Sequence, residues 1–83
     1  MDNKTLQRAK DLQVDIQVFK NQRESFQNML GDDNYEISSD SYNMEVSKDK
    51  HSEYLGVIKN ILKSKIAGIN NDIENLEREF KEL

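Results

Sequence analysis

Apolar residues in the C-terminal part of the chain recur at a fixed interval. Leu55, Leu62, Ile69, Leu76 and Leu83 stand seven residues apart, and Ile66, Ile73 and Phe80 repeat at the same interval, offset by four. This 4-3 alternation, sustained over about four heptads, is the pattern of a helix that buries one narrow stripe against another helix. It predicts a helix over about 48–82, with Ser47 as its N-cap and Asp49 near its positive end. Leu55, Ile58, Leu62, Ile66, Ile69, Ile73, Leu76 and Phe80 are the expected packing or oligomer seam. Near the start of the helix, Tyr54, Leu55, Val57, Ile58, Ile61 and Leu62 form a wider stripe than a seam needs. Gly56 and Gly68 each cost about 1 kcal/mol relative to alanine in a helix interior. The stretch Gly68-Ile69-Asn70-Asn71-Asp72 is a soft point, but the heptad phase runs through it, so one continuous helix is expected.

The first part of the chain carries a matching pattern. A helix over about 3–30, capped by Asp2 or Asn3, places Ala9, Ile16 and Leu30 on one heptad position and Leu12, Phe19 and Phe26 on the other. Arg23 interrupts the stripe; its aliphatic stem can cover apolar surface while its guanidinium reaches water or an acid on the facing helix. Gly31 stands where a left-handed C-terminal cap would sit, and Asp32-Asp33-Asn34 are turn formers.

Between the helices the period drops to two. Tyr35 and Ile37 alternate with Glu36, Ser38-Ser39-Asp40-Ser41 breaks the pattern, and Tyr42, Met44 and Val46 alternate with Asn43 and Glu45. Two short alternating runs around a Ser/Asp cluster predict a β-hairpin at about 34–46, with Tyr35/Ile37 and Tyr42/Met44/Val46 as its apolar faces. A lone hairpin is marginal in water, so it is expected to rest on the broad start of the second helix. The fold expected is therefore mainly α: an antiparallel two-helix coiled-coil hairpin with a short β-hairpin between the helices, forming one domain over 1–83. Ala9 and Leu12 would meet the Ile73, Leu76 and Phe80 end, and the second helix would overhang the first by about seven residues.

Composition narrows the possibilities further. Eighty-three residues lie near the lower limit for a self-sufficient core, and with no cysteine neither a disulfide nor a thiolate metal site can reinforce it. Oligomerisation or a protein partner is expected on that ground. No run approaches the roughly 18 apolar residues of a membrane span, and no secretory signal pattern opens the chain. The expected location is the cytoplasm. Residues 1–31 carry five bases and four acids, and residues 48–83 carry seven of each. Residues 32–47 carry five acids (Asp32, Asp33, Glu36, Asp40, Glu45) and no base, so this segment supplies the net charge of -4 and more. Such a segment repels a polyanion, and nucleic-acid binding is not expected.

Candidate chemistry is sparse. His51 is the single histidine and has no sequence companion of the kind a metal site or general base needs. Asp32-Asp33-Asn34-Tyr35-Glu36 looks like the start of a calcium loop, but Ile37 stands where the loop needs glycine and Asn43 where it needs glutamate. No glycine-flanked nucleophile or glycine-rich phosphate loop is present. No catalytic residue, cofactor or metal site is expected. Lys59, Lys63 and Lys65 read as a solvated basic half of the second helix, opposed to the acids Asp72, Glu74, Glu77, Glu79 and Glu82. Tyr35, Tyr42 and Tyr54 are expected around the β-hairpin, and tyrosine is enriched in binding hot spots. With Glu36, Asp40 and Glu45 they are the candidate partner-binding residues.

The order helix, acidic β-hairpin, helix, ending in Ile73-x-x-Leu76-x-x-x-Phe80-x-x-Leu83 within the charged tail Glu77-Arg78-Glu79-Phe80-Lys81-Glu82-Leu83, resembles small helical proteins of bacterial phages and mobile elements. In architecture alone it is similar to a shortened prefoldin subunit. The first resemblance implies a small adaptor or inhibitor acting on a host protein or defence complex in the host cytoplasm. The second implies holding of unfolded chains between helical arms. The function expected is non-enzymatic protein–protein interaction, with a self-assembling coiled-coil protein (a homodimer or higher oligomer) and a prefoldin-like holding chaperone as the alternatives.

Overall fold

The computed structural model describes residues 2–83. Two long helices, α1 (Asn3–Leu30) and α2 (Leu55–Lys81), pack against each other, and a short antiparallel β-hairpin of β1 (Tyr35–Ser38) and β2 (Asn43–Val46) lies between them. The shape is a rod of 58 × 24 × 14 Å. Its radius of gyration of 18.1 Å exceeds the roughly 12 Å of a compact chain of this length.

The heptad pattern accounts for the helical pair. On α1, Ala9, Leu12, Ile16, Phe19, Arg23, Phe26 and Leu30 are buried or half-buried, and so on α2 are Leu55, Ile58, Leu62, Ile66, Ile69, Ile73, Leu76 and Phe80. Leu12 is fully shielded, and Leu62, Ile69 and Ile73 nearly so. Polar cross-links fix the antiparallel register along its length. Arg8 donates through Nε and Nη2 to Glu79 Oε1 at 3.0 and 2.6 Å near one end, and Arg23 Nη1 donates to Asn70 Oδ1 at 2.9 Å in the middle. Arg23 therefore finds an amide rather than an acid, and it does so inside the stretch of poorest helix formers, where α2 continues without a break.

Asp2 caps α1, accepting a hydrogen bond from the Thr5 backbone N–H at 2.7 Å. That bond favours the ionised carboxylate and holds Asp2 below its ordinary pKa. At the other end Gly31 departs from expectation. Its φ of -79° and ψ of -8° are right-handed, and α1 closes through Gly31 and Asp32 N–H groups donating to the Asn28 and Met29 carbonyls.

The second helix starts later than its polar residues suggest. Ser47 does not cap it. The Ser47 N–H donates to the Lys50 carbonyl at 2.7 Å, and the Ser47 hydroxyl accepts from the Lys50 N–H at 3.1 Å, closing a separate four-residue turn. A serine side chain that bonds its own local backbone in this way competes with helix formation. His51 follows at φ 53° and ψ 40°, a left-handed conformation that no helix accepts, and a single 3-10 turn (Ser52–Tyr54) leads into α2. The expected start at about 48 thus becomes Leu55. With 28 residues in α1 and 27 in α2 the expected overhang disappears.

The strands pair in the register Tyr35↔Val46, Glu36↔Glu45, Ile37↔Met44 and Ser38↔Asn43. Tyr42 therefore belongs to the connecting turn and not to an apolar strand face. Ser39 closes that turn, its N–H donating to the Tyr42 carbonyl at 2.7 Å and its Oγ accepting from the Tyr42 N–H at 3.1 Å.

Candidate interaction surface

Side chains alternate across the hairpin, so its register sorts them into two faces. Tyr35, Ile37, Met44 and Val46 share one. Val46 is completely shielded, Tyr35 and Met44 are half-buried, and Ile37, toward the tip, is 46% exposed. This face anchors the hairpin. Glu36, Ser38, Asn43 and Glu45 share the other face, and all four are exposed.

Tyr35 is the hinge between hairpin and helices. Its hydroxyl donates to the Met29 carbonyl at 2.6 Å, and Lys59 Nζ lies 5.7 Å from its ring centroid. The same ammonium donates to the Leu30 carbonyl at 2.8 Å and the Asp32 carbonyl at 2.9 Å. Helix C-termini leave carbonyls unpaired within the helix and carry partial negative charge, so a lysine from the facing helix satisfies both needs. Lys59 is therefore part of the joint rather than of a solvated basic face. Sequence reading missed it because its partners are backbone atoms about thirty positions away, which no side-chain pattern signals. A cation lodged at an α1 terminus from a half-buried α2 position is visible only once the helices are paired.

On the outer face, Glu36 and Glu45 stand directly opposite each other. Like charges at such a position destabilise a strand pair. The repulsion is only partly relieved, by Lys50 Nζ at 3.5 Å from Glu45 Oε2 and by the Ser38 hydroxyl donating to Glu36 Oε1 at 3.3 Å. Asp40 and Tyr42 sit in the turn at the tip, Tyr42 with 65% of its surface exposed. Glu36, Glu45, Asp40 and Tyr42 thus share the outward side and tip of one small element.

Tyr54 does not join them. It lies at the start of α2, 44% exposed, and its ring is paired with that of His51 at 6.2 Å between centroids. The three tyrosines are spread out: Tyr35 serves the joint, Tyr42 the tip and Tyr54 the flank at the start of α2. The hairpin meets the start of α2 at Lys59 but leaves one flank of it uncovered, with Val57 and Ile61 53% and 63% exposed.

His51 approaches one carboxylate, Glu53 Oε1 at 3.9 Å from Nδ1. Among the described residues no three side chains of metal-ligating type come together. A shallow open groove of about 260 Å³ beside the seam is lined by Phe19, Asp72, Asn75 and Leu76, which include a single titratable group. No described helix is long and apolar enough to cross a membrane. Comparison with protein-family models, with curated proteins and with solved structures finds no match to this chain.

Proposed function

We propose that the chain is a non-enzymatic protein-binding module that presents its β-hairpin to a partner, the paired helices serving as a rigid stem. The observation that carries this reading is the cross-strand pair Glu36 and Glu45. It costs the hairpin stability, and the contacts with Lys50 and Ser38 relieve it only in part. A basic surface on a partner would turn that repulsion into attraction while Tyr42 at the tip supplied apolar contact. The joint at Tyr35 and Lys59 limits the orientations of the hairpin, which lowers the entropy lost when a partner binds. In the cytoplasmic, phage or mobile-element setting that the sequence resemblance implies, the partner would be a host protein.

Affinity capture from a lysate with the wild-type chain and with Glu36→Gln, Glu45→Gln and Tyr42→Ala tests this. The expected result is one dominant partner at fixed stoichiometry, weakened by each substitution and by added salt. A partner retained equally by the triple variant would place the contact elsewhere and end the hairpin reading. The self-assembling alternative is favoured by a separate observation, the apolar flank at the start of α2.

A further inference from the structure

We infer that the outer edge of β1 is a strand-addition site, which takes an extended partner segment whose basic and apolar residues alternate. The inference rests on the hairpin reading above and names the partner's chemistry. A two-stranded sheet leaves one edge of each strand unpaired. The Ser39 N–H donates to the Tyr42 carbonyl, and hydrogen-bonded and non-bonded pairs alternate along an antiparallel ladder. Ile37↔Met44 and Tyr35↔Val46 are therefore the hydrogen-bonded pairs, and the main-chain N–H and C=O groups of Glu36 and Ser38 point away from β2. Among the described residues no main-chain hydrogen bond outside the strand pair engages those groups.

Of the two edges, that of β1 is the open one. Glu36, Ile37 and Ser38 are all exposed, whereas on β2 Met44 is half-buried and Val46 fully shielded. On the β2 side Lys50 Nζ already stands 3.5 Å from Glu45. Glu36 has no ion-pair partner among the described residues.

Backbone geometry and charge together say what fits there. The outward N–H and C=O groups of an edge strand are matched by another extended strand. A helix spends its own main-chain groups internally and does not match them. Side chains of an added strand fall level with those of β1, so its residues alternate between the same two faces. On the outer face, a lysine or arginine beside Glu36 would offset the repulsion from Glu45. On the other face, an apolar residue would cover Ile37, which is 46% exposed. A second copy of this chain does not qualify, because residues 32–47 bring five acids and no base and two such hairpins repel each other.

An NMR titration of the full chain at low salt tests the proposal, with a synthetic peptide of about eight residues alternating lysine and valine as the probe. A block peptide of the same composition is the control. The alternating peptide is expected to bind at least about tenfold more tightly than the block peptide. At saturation it should slow amide exchange at Glu36 and Ser38 and leave Asn43 and Glu45 unchanged. Ser38→Pro removes one outward N–H at a position where an edge strand tolerates proline, and should weaken the peptide about five- to tenfold. Ser38→Ala, which loses only the hydroxyl, and Asn43→Pro, at the opposite edge, should bind within about twofold of the wild type. The wild-type exchange pattern decides the matter if Ser38→Pro loosens the hairpin. Failure of both peptides to bind, equal binding of the two, or protection at Asn43 and Glu45 instead would overturn the proposal. A lysate partner weakened by Glu36→Gln and Tyr42→Ala but held equally by a folded Ser38→Pro chain would overturn strand addition alone and leave the hairpin reading standing.

Discussion

Along the helical seam, stability comes from many apolar side chains of one kind, whereas segment 31–54 is held by one buried valine and a few hydrogen bonds to backbone atoms. Leu12, Leu62, Ile69 and Ile73 form the centre of the seam, and its half-buried neighbours repeat the same contact turn after turn. At the connecting segment Val46, the Tyr35 hydroxyl, the two small serine-closed turns and Lys59, which reaches across from α2, each do something no neighbour repeats. A distributed seam loses a fraction of its strength with any one residue. A joint made of single contacts can be opened by one change while the helices persist, so the two regions should differ in local stability.

The sharpest contrast is between two adjacent residues. Leu62 is 5% exposed and Ile61 63%. Leu62→Asp buries an unpaired charge in a thin core and should cost about 4 kcal/mol or more, enough to abolish cooperative unfolding in a urea titration. Ile61→Asp should change the stability of the folded chain by no more than about 0.5 kcal/mol, its effect falling on assembly. Comparable losses at the two positions would mean that Ile61 is covered within one chain.

Next in size is Val46→Ala, about 2 kcal/mol from lost burial and the cavity left behind. Its signature is local: amide exchange should accelerate from Tyr35 to Val46 before it does in the middle of α1 or α2. Lys59→Met keeps the aliphatic stem but leaves the Leu30 and Asp32 carbonyls without their donor, at about 1–2 kcal/mol, and Tyr35→Phe should cost about 1 kcal/mol. Both should loosen the hairpin in the same exchange experiment. If either variant instead lowered protection uniformly, hairpin and helices would be one cooperative unit.

The same contrast explains what was legible in the sequence. Every residue of the expected α2 stripe, from Leu55 to Phe80, is buried or half-buried because burial follows periodicity, and periodicity is written in side chains. The hairpin's position was legible for the same reason. The start of α2 was not. Ser47 looks like a helix cap, and whether its hydroxyl serves a helix or a four-residue turn depends on the backbone of Lys50 and His51. The left-handed residue proved to be His51 rather than Gly31, although glycine is the residue for which that conformation costs least. Of the candidate contact residues, Glu36 and Glu45 could be placed on one face by alternation alone. The separation of Tyr35, Tyr42 and Tyr54 could not, because it depends on turn geometry and on a hydrogen bond to a carbonyl.

The glycines of α2 offer a smaller test. A Cβ built at Gly56 or Gly68 meets nothing within 4 Å. Alanine at either position should therefore stabilise the helical pair by about 0.5–1 kcal/mol, through helix propensity and a less flexible unfolded chain. Thermal unfolding of the two single variants measures this. A loss at Gly68→Ala would show that something outside the single chain approaches α2 there.

The smallest expected effect separates the two helix starts. Asp2 caps α1 with a carboxylate, whereas α2 begins after a 3-10 turn with no side-chain cap. The folded chain holds Asp2 below its ordinary pKa because the Thr5 N–H bonds to the ionised form. Its contribution is therefore fully present above the ordinary carboxylate range and is lost as pH falls through the depressed value. An NMR titration should show the Thr5 amide losing its hydrogen-bonded shift and its exchange protection over that acidic window. Asp2→Asn should remove the pH dependence while keeping a capping oxygen. The amides from Leu55 to Ile58 have no carboxylate cap to lose. If they titrated in step with Thr5, acid would be loosening the whole helical pair rather than one end of α1.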